Sequence, residues 1–280
     1  MGVFDRGLVV ALDAAALGVA VLARRPGRRR VRGFRRVPLE PGALVPSPAG
    51  SNVVRREELR EALASALGEL SPGGGRATLV LPDGIARLAM LQLPEGAEPR
   101  DYMRFRLAAS LPWPASDAIV QVLPLDRGRV VGAAVRRTTV AQYEQLAASA
   151  GLSIDRVHLA PLVALAALLG RRGRNRRSGV HALLGDVALC LAVIRDGRLE
   201  VLRNRRRDPG DGEGARLLAE AVRTARQPGD GDAPMRLALS GSGATRLRET
   251  LGSSVAGVGL EGPREWPDAA EATWLAGALA

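Results

Sequence analysis

Two stretches of this chain follow one plan: an apolar strand, a tight turn of small residues, and a second apolar strand running back. They are residues 8–22 (LVVALDAAALGVAVL) and residues 181–202 (HALLGDVALCLAVIRDGRLEVL), one in each half of the chain. A third signal, LALSGSGATRL at residues 237–247, carries an apolar strand into a Gly-rich turn and a helix. A strand hairpin therefore opens each half of the chain, with a Gly-rich turn late in the second.

At 280 residues and 46% hydrophobic, the chain can bury a core in each of two modest domains. No run approaches the roughly 18–20 apolar residues that a bilayer span needs. The first residues, MGVFDRG, lack the basic-then-apolar order of a secretory signal, so the expectation is a cytoplasmic protein. One cysteine, Cys190, excludes an internal disulfide and a multi-cysteine zinc site, and its apolar strand makes it a buried structural thiol. The net charge of +11 rests on arginine alone, which supplies all 40 basic residues. Without lysine there is no P-loop lysine and no Schiff base.

Beyond the first hairpin, ARRPGRRRVRGFRRVPL turns at Pro26 and Gly27 between arginine-loaded arms. SNVVRREELREALASALGEL sets Leu59, Leu63, Leu67 and Leu70 at helical spacing, SPGGG breaks that helix, and ATLVLP resumes as a buried strand. Residues 85–152 then read as a compact α+β unit. ARLAMLQLP is a strand, Tyr102 to Leu111 is helical up to the stop at LPWP, and AIVQVLPL and GRVVGAAVRR pair around a turn at residues 126–128. A helix starts at Thr139, where Thr139 and Gln142 form a capping box, and ends near Gly151. Pro161 opens the helix LVALAALLG, and GRRGRNRRSG bridges to the second half. That half offers one amphipathic helix from Ala215 to Arg226, the strand MRLALSGSG, the helix TRLRETLG and a last helix in EATWLAGALA.

In order, VALDAAALGVAVL, RLAMLQLP, RFRLAASLPWPASDAIV, AGLSIDRVHLAPLVALAAL, SGSGATRL and ATWLAGALA resemble PilM-like proteins of type IV pilus assembly and, more distantly, FtsA. The resemblance implies an α/β, actin-like (ribonuclease H-like) fold of two domains. The first spans residues 1–84 and 153–178, with a small α+β module inserted at 85–152. The second, residues 179–280, is shortened.

The resemblance also implies where a nucleotide would sit. In the first phosphate turn the family runs Asp-x-Gly-Ser/Thr with a Lys soon after. Here Asp13 stands, Ala15 and Ala16 replace the Gly and hydroxyl, and Ala20 occupies the Lys position. In the second turn Leu183 stands for the family's Asp and Gly185 remains, while Asp186 would face phosphate with like charge. The adenosine-side turn keeps Gly241, Ser242 and Gly243. The interval before it holds one helix rather than a lobe that closes over the base. A triphosphate needs several charge-assisted contacts to offset its desolvation. The expectation is a pseudo-ATPase with no ATP or Mg²⁺ and no catalytic residue, in which Asp13, Gly185, Gly241, Ser242 and Gly243 are vestiges; an active actin-like ATPase is the alternative. Each also has a plain structural role, Asp13 as a turn residue and the SGSG run as a strand-to-helix turn needing positive φ.

By the same resemblance, the function is that of an adaptor peripheral to the inner membrane. It would bind the cytoplasmic peptide of a PilN-like membrane partner and help to connect the platform to pilus motor ATPases. An apolar slot with a polar rim suits peptide capture; the candidates are Leu91, Leu93, Tyr102, Phe105, Leu111 and Trp113, with Arg104 and Arg106 at the edge. The same residues can equally form the module's own core. The arginine clusters at 24–36, 171–177 and 203–207 suit an anionic membrane surface or a solvated face. Only Phe34 lies among them for stacking, which argues against nucleic acid. His158, His181 and Cys190 show no catalytic spacing. A GspL-like secretion component is the second alternative; such proteins continue into a transmembrane helix, which this sequence does not contain.

Overall fold

The computed structural model describes residues 6–25, 28–70, 75–169, 178–207, 210, 212–225, 235–241, 244–252, 254–255 and 258–260. Ser242, Gly243, the turn at Pro26 and Gly27, the cluster at 171–177 and the terminal segment EATWLAGALA lie outside the described residues. Two sheets repeat one topology. In the first, β1 (Arg6–Leu12), β2 (Ala16–Arg25) and β3 (Arg28–Pro38) pair antiparallel, and β4 (Gly75–Leu81) and β8 (Leu152–Leu159) extend β1 in parallel, giving the order β3-β2-β1-β4-β8. The second sheet begins likewise with β9 (Gly179–Leu184), β10 (Ala188–Arg195) and β11 (Arg198–Arg206). It continues through β12 (Met235–Gly241), β13 (Ser254–Val255) and β14 (Val258–Leu260) in the order β11-β10-β9-β12-β14-β13. The stretch read at residues 8–22 is therefore the β1-β2 hairpin, while that at 181–202 holds β9, β10 and the start of β11, the equivalent opening of the second sheet.

Alternation along β1 supplies two cores, one on each face of the first sheet. Leu8, Val10 and Leu12 pack with Leu59, Leu63 and Leu67 of α1 (Arg56–Leu70), while Val9 and Ala11 pack with Val163 of α4 (Ala160–Leu169). In the second domain, Leu217 and Ala221 of α5 (Glu213–Ala225) and Leu247 of α6 (Ala244–Leu251) cover Val180, Ala182, Leu237 and Leu239.

Between β4 and β8 lies a sheet in the order β5-β7-β6, made of β5 (Ala86–Gln92), β6 (Ala118–Pro124) and β7 (Arg129–Arg136). Its core forms against Met103 and Leu107 of α2 (Pro99–Ala108). The helix begins earlier than the sequence reading has it, because Pro99 at its first turn fits the helical φ and Glu98 caps it by accepting from Asp101 N at 2.7 Å. Elsewhere Val131 packs with Leu165, Ala192, Ile194 and Leu199, so the module also rests on the second domain. Arg129 joins that contact, bonding Asp126 at 2.7 Å and Glu200 at 3.5 Å. The Arg129 bond holds the Asp126 carboxyl below its ordinary range.

Helix α3 (Arg137–Ser149), read from the sequence with the module, places Tyr143, Leu146 and Ala147 in the first domain's core. Its capping box does not form. The helix already starts at Arg137, Thr139 lies buried within it, and Gln142 Oε1 instead accepts from Asn52 N at 2.7 Å.

His158, on β8, is half-buried, and its Nε2 has no partner among the described residues. Burial, with Arg156 beside it, lowers its pKa from the ordinary histidine value. The unfolded chain therefore takes up this proton first as pH falls. The stability that the neutral ring contributes is whole above the ordinary histidine pKa and is lost as pH drops from there toward the lower folded value. Thermal melts from pH 7.5 down to 5.5 are expected to fall less steeply for His158→Gln than for the wild type; parallel curves would assign the acid sensitivity elsewhere.

Candidate functional site

The two hairpin turns face each other across the domains. Leu12 pairs with Leu17 around the first turn and Leu184 with Leu189 around the second, so residues 13–16 match residues 185–188. Both turns are closed the same way: Asp13 N donates to Ala16 O at 2.9 Å, and Gly185 N to Ala188 O at 2.8 Å. The strand that follows braces each, through Leu39 N to Ala15 O at 3.0 Å and Arg207 N to Val187 O at 2.9 Å. This register makes Gly185, and not Leu183, the counterpart of Asp13; Leu183 lies inside β9 and is buried. Asp186 is the counterpart of Ala14.

Asp13 is buried at the end of β1, with its Oδ1 accepting from Ala14 N at 2.9 Å. Ala15 N donates across the cleft to Asp186 Oδ2, also at 2.9 Å. Arg207 fixes the second turn, donating from Nη1 to Gly185 O at 2.8 Å while pairing with Glu213. The approach between domains is close: a β-carbon at Gly84, just beyond β4, would lie 2.1 Å from Val187 Cγ2.

Residues 13–16 carry no hydroxyl or lysine, and the Ala15 N–H donates to a carboxylate. Among the described residues, no group of three His, Cys, Asp or Glu could hold a metal ion. Gly241, at the third turn, has φ +108, and a β-carbon there would lie 2.0 Å from Leu184 O, so the backbone itself requires glycine.

The module's candidates divide by burial. Leu91, Leu93 and Leu111 pack against its core, and Trp113 is buried with an indole N–H that has no acceptor among the described residues. Tyr102 is half-buried. Phe105 stands 75% exposed on α2, between the exposed Arg106 and Arg104, which bonds Asp101 at 3.4 Å. Of the arginines at 203–207, Arg205 pairs with Glu220 and Arg207 with Glu213, while Arg203 and Arg206 are exposed.

No protein-family model matches the chain, and no curated protein matches it in sequence. Its structure is similar to that of the PilM-PilN type IV pilus biogenesis complex, with a TM-score of 0.66 and 18% identity over 95% of this chain and 89% of that one. The cytoplasmic domain of EpsL, an inner-membrane component of the type II secretion system of Vibrio cholerae, matches at 0.55 and 15% identity over 98% and 95%. A Bacteroides thetaiotaomicron protein described as having an actin-like ATPase fold and unknown function matches at 0.55 and 14% over 90% and 88%. The fold is actin-like. In this actin-like frame, the fold expected from the resemblance to PilM-like proteins is present. Sequence reasoning missed the partners of the cleft: Ala15 as the donor to Asp186, and Arg207 as the brace of the second turn. A lone Ala amide leaves no trace in a sequence, whereas an arginine shortly after an apolar hairpin is a weak signal that the arginine bias of this chain submerges.

Proposed function

We propose that this chain is a cytoplasmic scaffold of a type IV pilus inner-membrane platform, which captures the cytoplasmic peptide of a PilN-like partner and works without bound nucleotide. The observation that carries the reading is the similarity, over 95% of the chain, to a structure of the PilM-PilN complex. The donor set of the cleft supports the nucleotide-free part. The exposed Phe105 with its flanking arginines supplies an apolar anchor and a cationic rim on the inserted module.

The adaptor reading is tested with a synthetic peptide of the cytoplasmic segment of a PilN-like protein. Joint replacement of Arg104 and Phe105 by alanine is expected to weaken binding about tenfold or more, with the melting temperature unchanged because both side chains reach solvent. Equal binding by the variant would remove α2 from the interface, and no binding by the wild type would remove the adaptor reading. The similarity to the EpsL cytoplasmic domain keeps a secretion-system role as the second reading, favoured if the wild type binds no PilN-like peptide.

The nucleotide is tested separately. A ligand at 100 times its Kd stabilises by about 2.7 kcal/mol, so millimolar Mg-ATP is expected to leave the melting temperature of this chain unmoved while raising that of an ATP-binding actin-like protein. A rise here would restore the ATPase reading.

A further inference from the structure

We propose that the Asp186 carboxylate is the resident anion of the first turn, a ligand supplied in cis that latches the two domains where a phosphate would otherwise bridge them. The inference rests on the nucleotide-free reading and names what occupies the cleft in its place. Three observations converge. Asp186 Oδ2 lies 2.9 Å from Ala15 N, at a separation of 171 residues, so the bond spans the two domains and not a local turn. The acceptor is aimed from a turn held on its own side, by Arg207 at Gly185 O and by Arg207 N at Val187 O. The donor is held as well, since Ala15 O accepts from Leu39 N and Asp13 N closes on Ala16 O.

The chemistry of the exchange is one of like for like. An exposed backbone N–H at the tip of a tight turn suits an anionic oxygen, and a carboxylate makes the same charge-assisted bond as a phosphate oxygen. A phosphate requires a second partner to bridge the cleft, whereas Asp186 is itself part of the second turn. Closure is thereby built into the chain. Val187, next along that turn, seats against Gly84 at a distance that excludes even a methyl group, which places the contact at the end of β4 as well as at the first hairpin. The position matters because Asp186 is the counterpart of Ala14 in the repeated register: the two turns have equivalent backbones, and the carboxylate at this place is what the second has and the first lacks.

Amide hydrogen exchange at Ala15, followed by NMR on the intact chain, reads the latch directly. Asp186→Ala is expected to speed that exchange about tenfold while the amides of Val10 and Leu191 in the flanking strands keep their rates. Asp186→Asn, which retains a side-chain oxygen acceptor, is expected to fall between the two. Unchanged exchange in Asp186→Ala overturns the latch. These outcomes are separate from the Mg-ATP melt of the wild type, whose failure would overturn the nucleotide-free reading itself.

Discussion

Gly241→Ala is expected to lower the melting temperature by roughly 10 °C or to leave the protein insoluble. Two costs combine at this position. The backbone sits at φ +108, where an L side chain is strained by about 1–3 kcal/mol. The added methyl would also lie 2.0 Å from Leu184 O, a backbone atom of the paired strand that cannot rotate away. Overpacking of this kind costs about another 1–3 kcal/mol, and for a chain of this size each kcal/mol is worth about 2–4 °C. Gly96→Ala separates the two costs, because Gly96 has φ +76 with nothing within 4 Å of a β-carbon. It is expected to cost only the strain. If circular-dichroism melts of the two variants coincide, the approach to Leu184 is not what selects glycine. The result bears on function as well, since a glycine demanded by the β9-β12 pairing is kept whether or not an adenosine was ever bound beside it.

What was legible in the sequence is what local pattern controls. The hairpins at residues 8–22 and 181–202 are apolar runs broken by tight turns, so β1-β2 and β9-β10-β11 follow from them, and Leu59, Leu63 and Leu67 announce the buried face of α1. The absence of a hydroxyl and a lysine from residues 13–16 is equally readable, because it concerns residue types at a turn. Contacts between distant segments are not. Asp186 reads as a repulsive charge until the fold sets Ala15 N in front of it, at which point the same carboxylate becomes an acceptor. Gln142 reads as a helix cap because Thr139 lies three residues before it, yet the helix begins earlier and the amide turns to a loop 90 residues away. In both cases a polar side chain with a plausible local use was taken by a stronger tertiary one. The leucines of α2 and β5 show the reverse ambiguity: an apolar residue on a small module looks the same in sequence whether it fills the core, as Leu107 does, or stands free, as Phe105 does.

That loop supplies the other large effect, for Asn52→Ala. Asn52 is fully buried and every arm of its amide is used. Nδ2 donates to Ser47 O at 2.9 Å and Gly50 O at 3.0 Å, and Oδ1 accepts from Ser47 N at 2.9 Å and the Tyr143 hydroxyl at 3.0 Å. Tyr143 is itself buried, and burial raises its pKa, so its hydroxyl stays a neutral donor. Alanine at position 52 strands that buried hydroxyl together with the half-buried Ser47 N–H, and an orphaned buried group costs about 1–3 kcal/mol. The expected destabilisation is therefore about 3–4 kcal/mol. Tyr143→Phe removes one bond without stranding the rest of the amide, and is expected to cost about 1 kcal/mol. Urea titrations of both variants and the double variant complete the cycle, in which the double is expected to be less destabilised than the sum of the singles. Full additivity would mean that the two side chains do not share the bond. The effect should reach the module, since this loop also accepts from Arg136 at Ala49 O and Pro46 lies against Gly84 beside the domain cleft. Peptide binding measured on Asn52→Ala is accordingly expected to weaken even at temperatures where the variant remains folded, whereas Tyr143→Phe, with the loop intact, should bind as the wild type does.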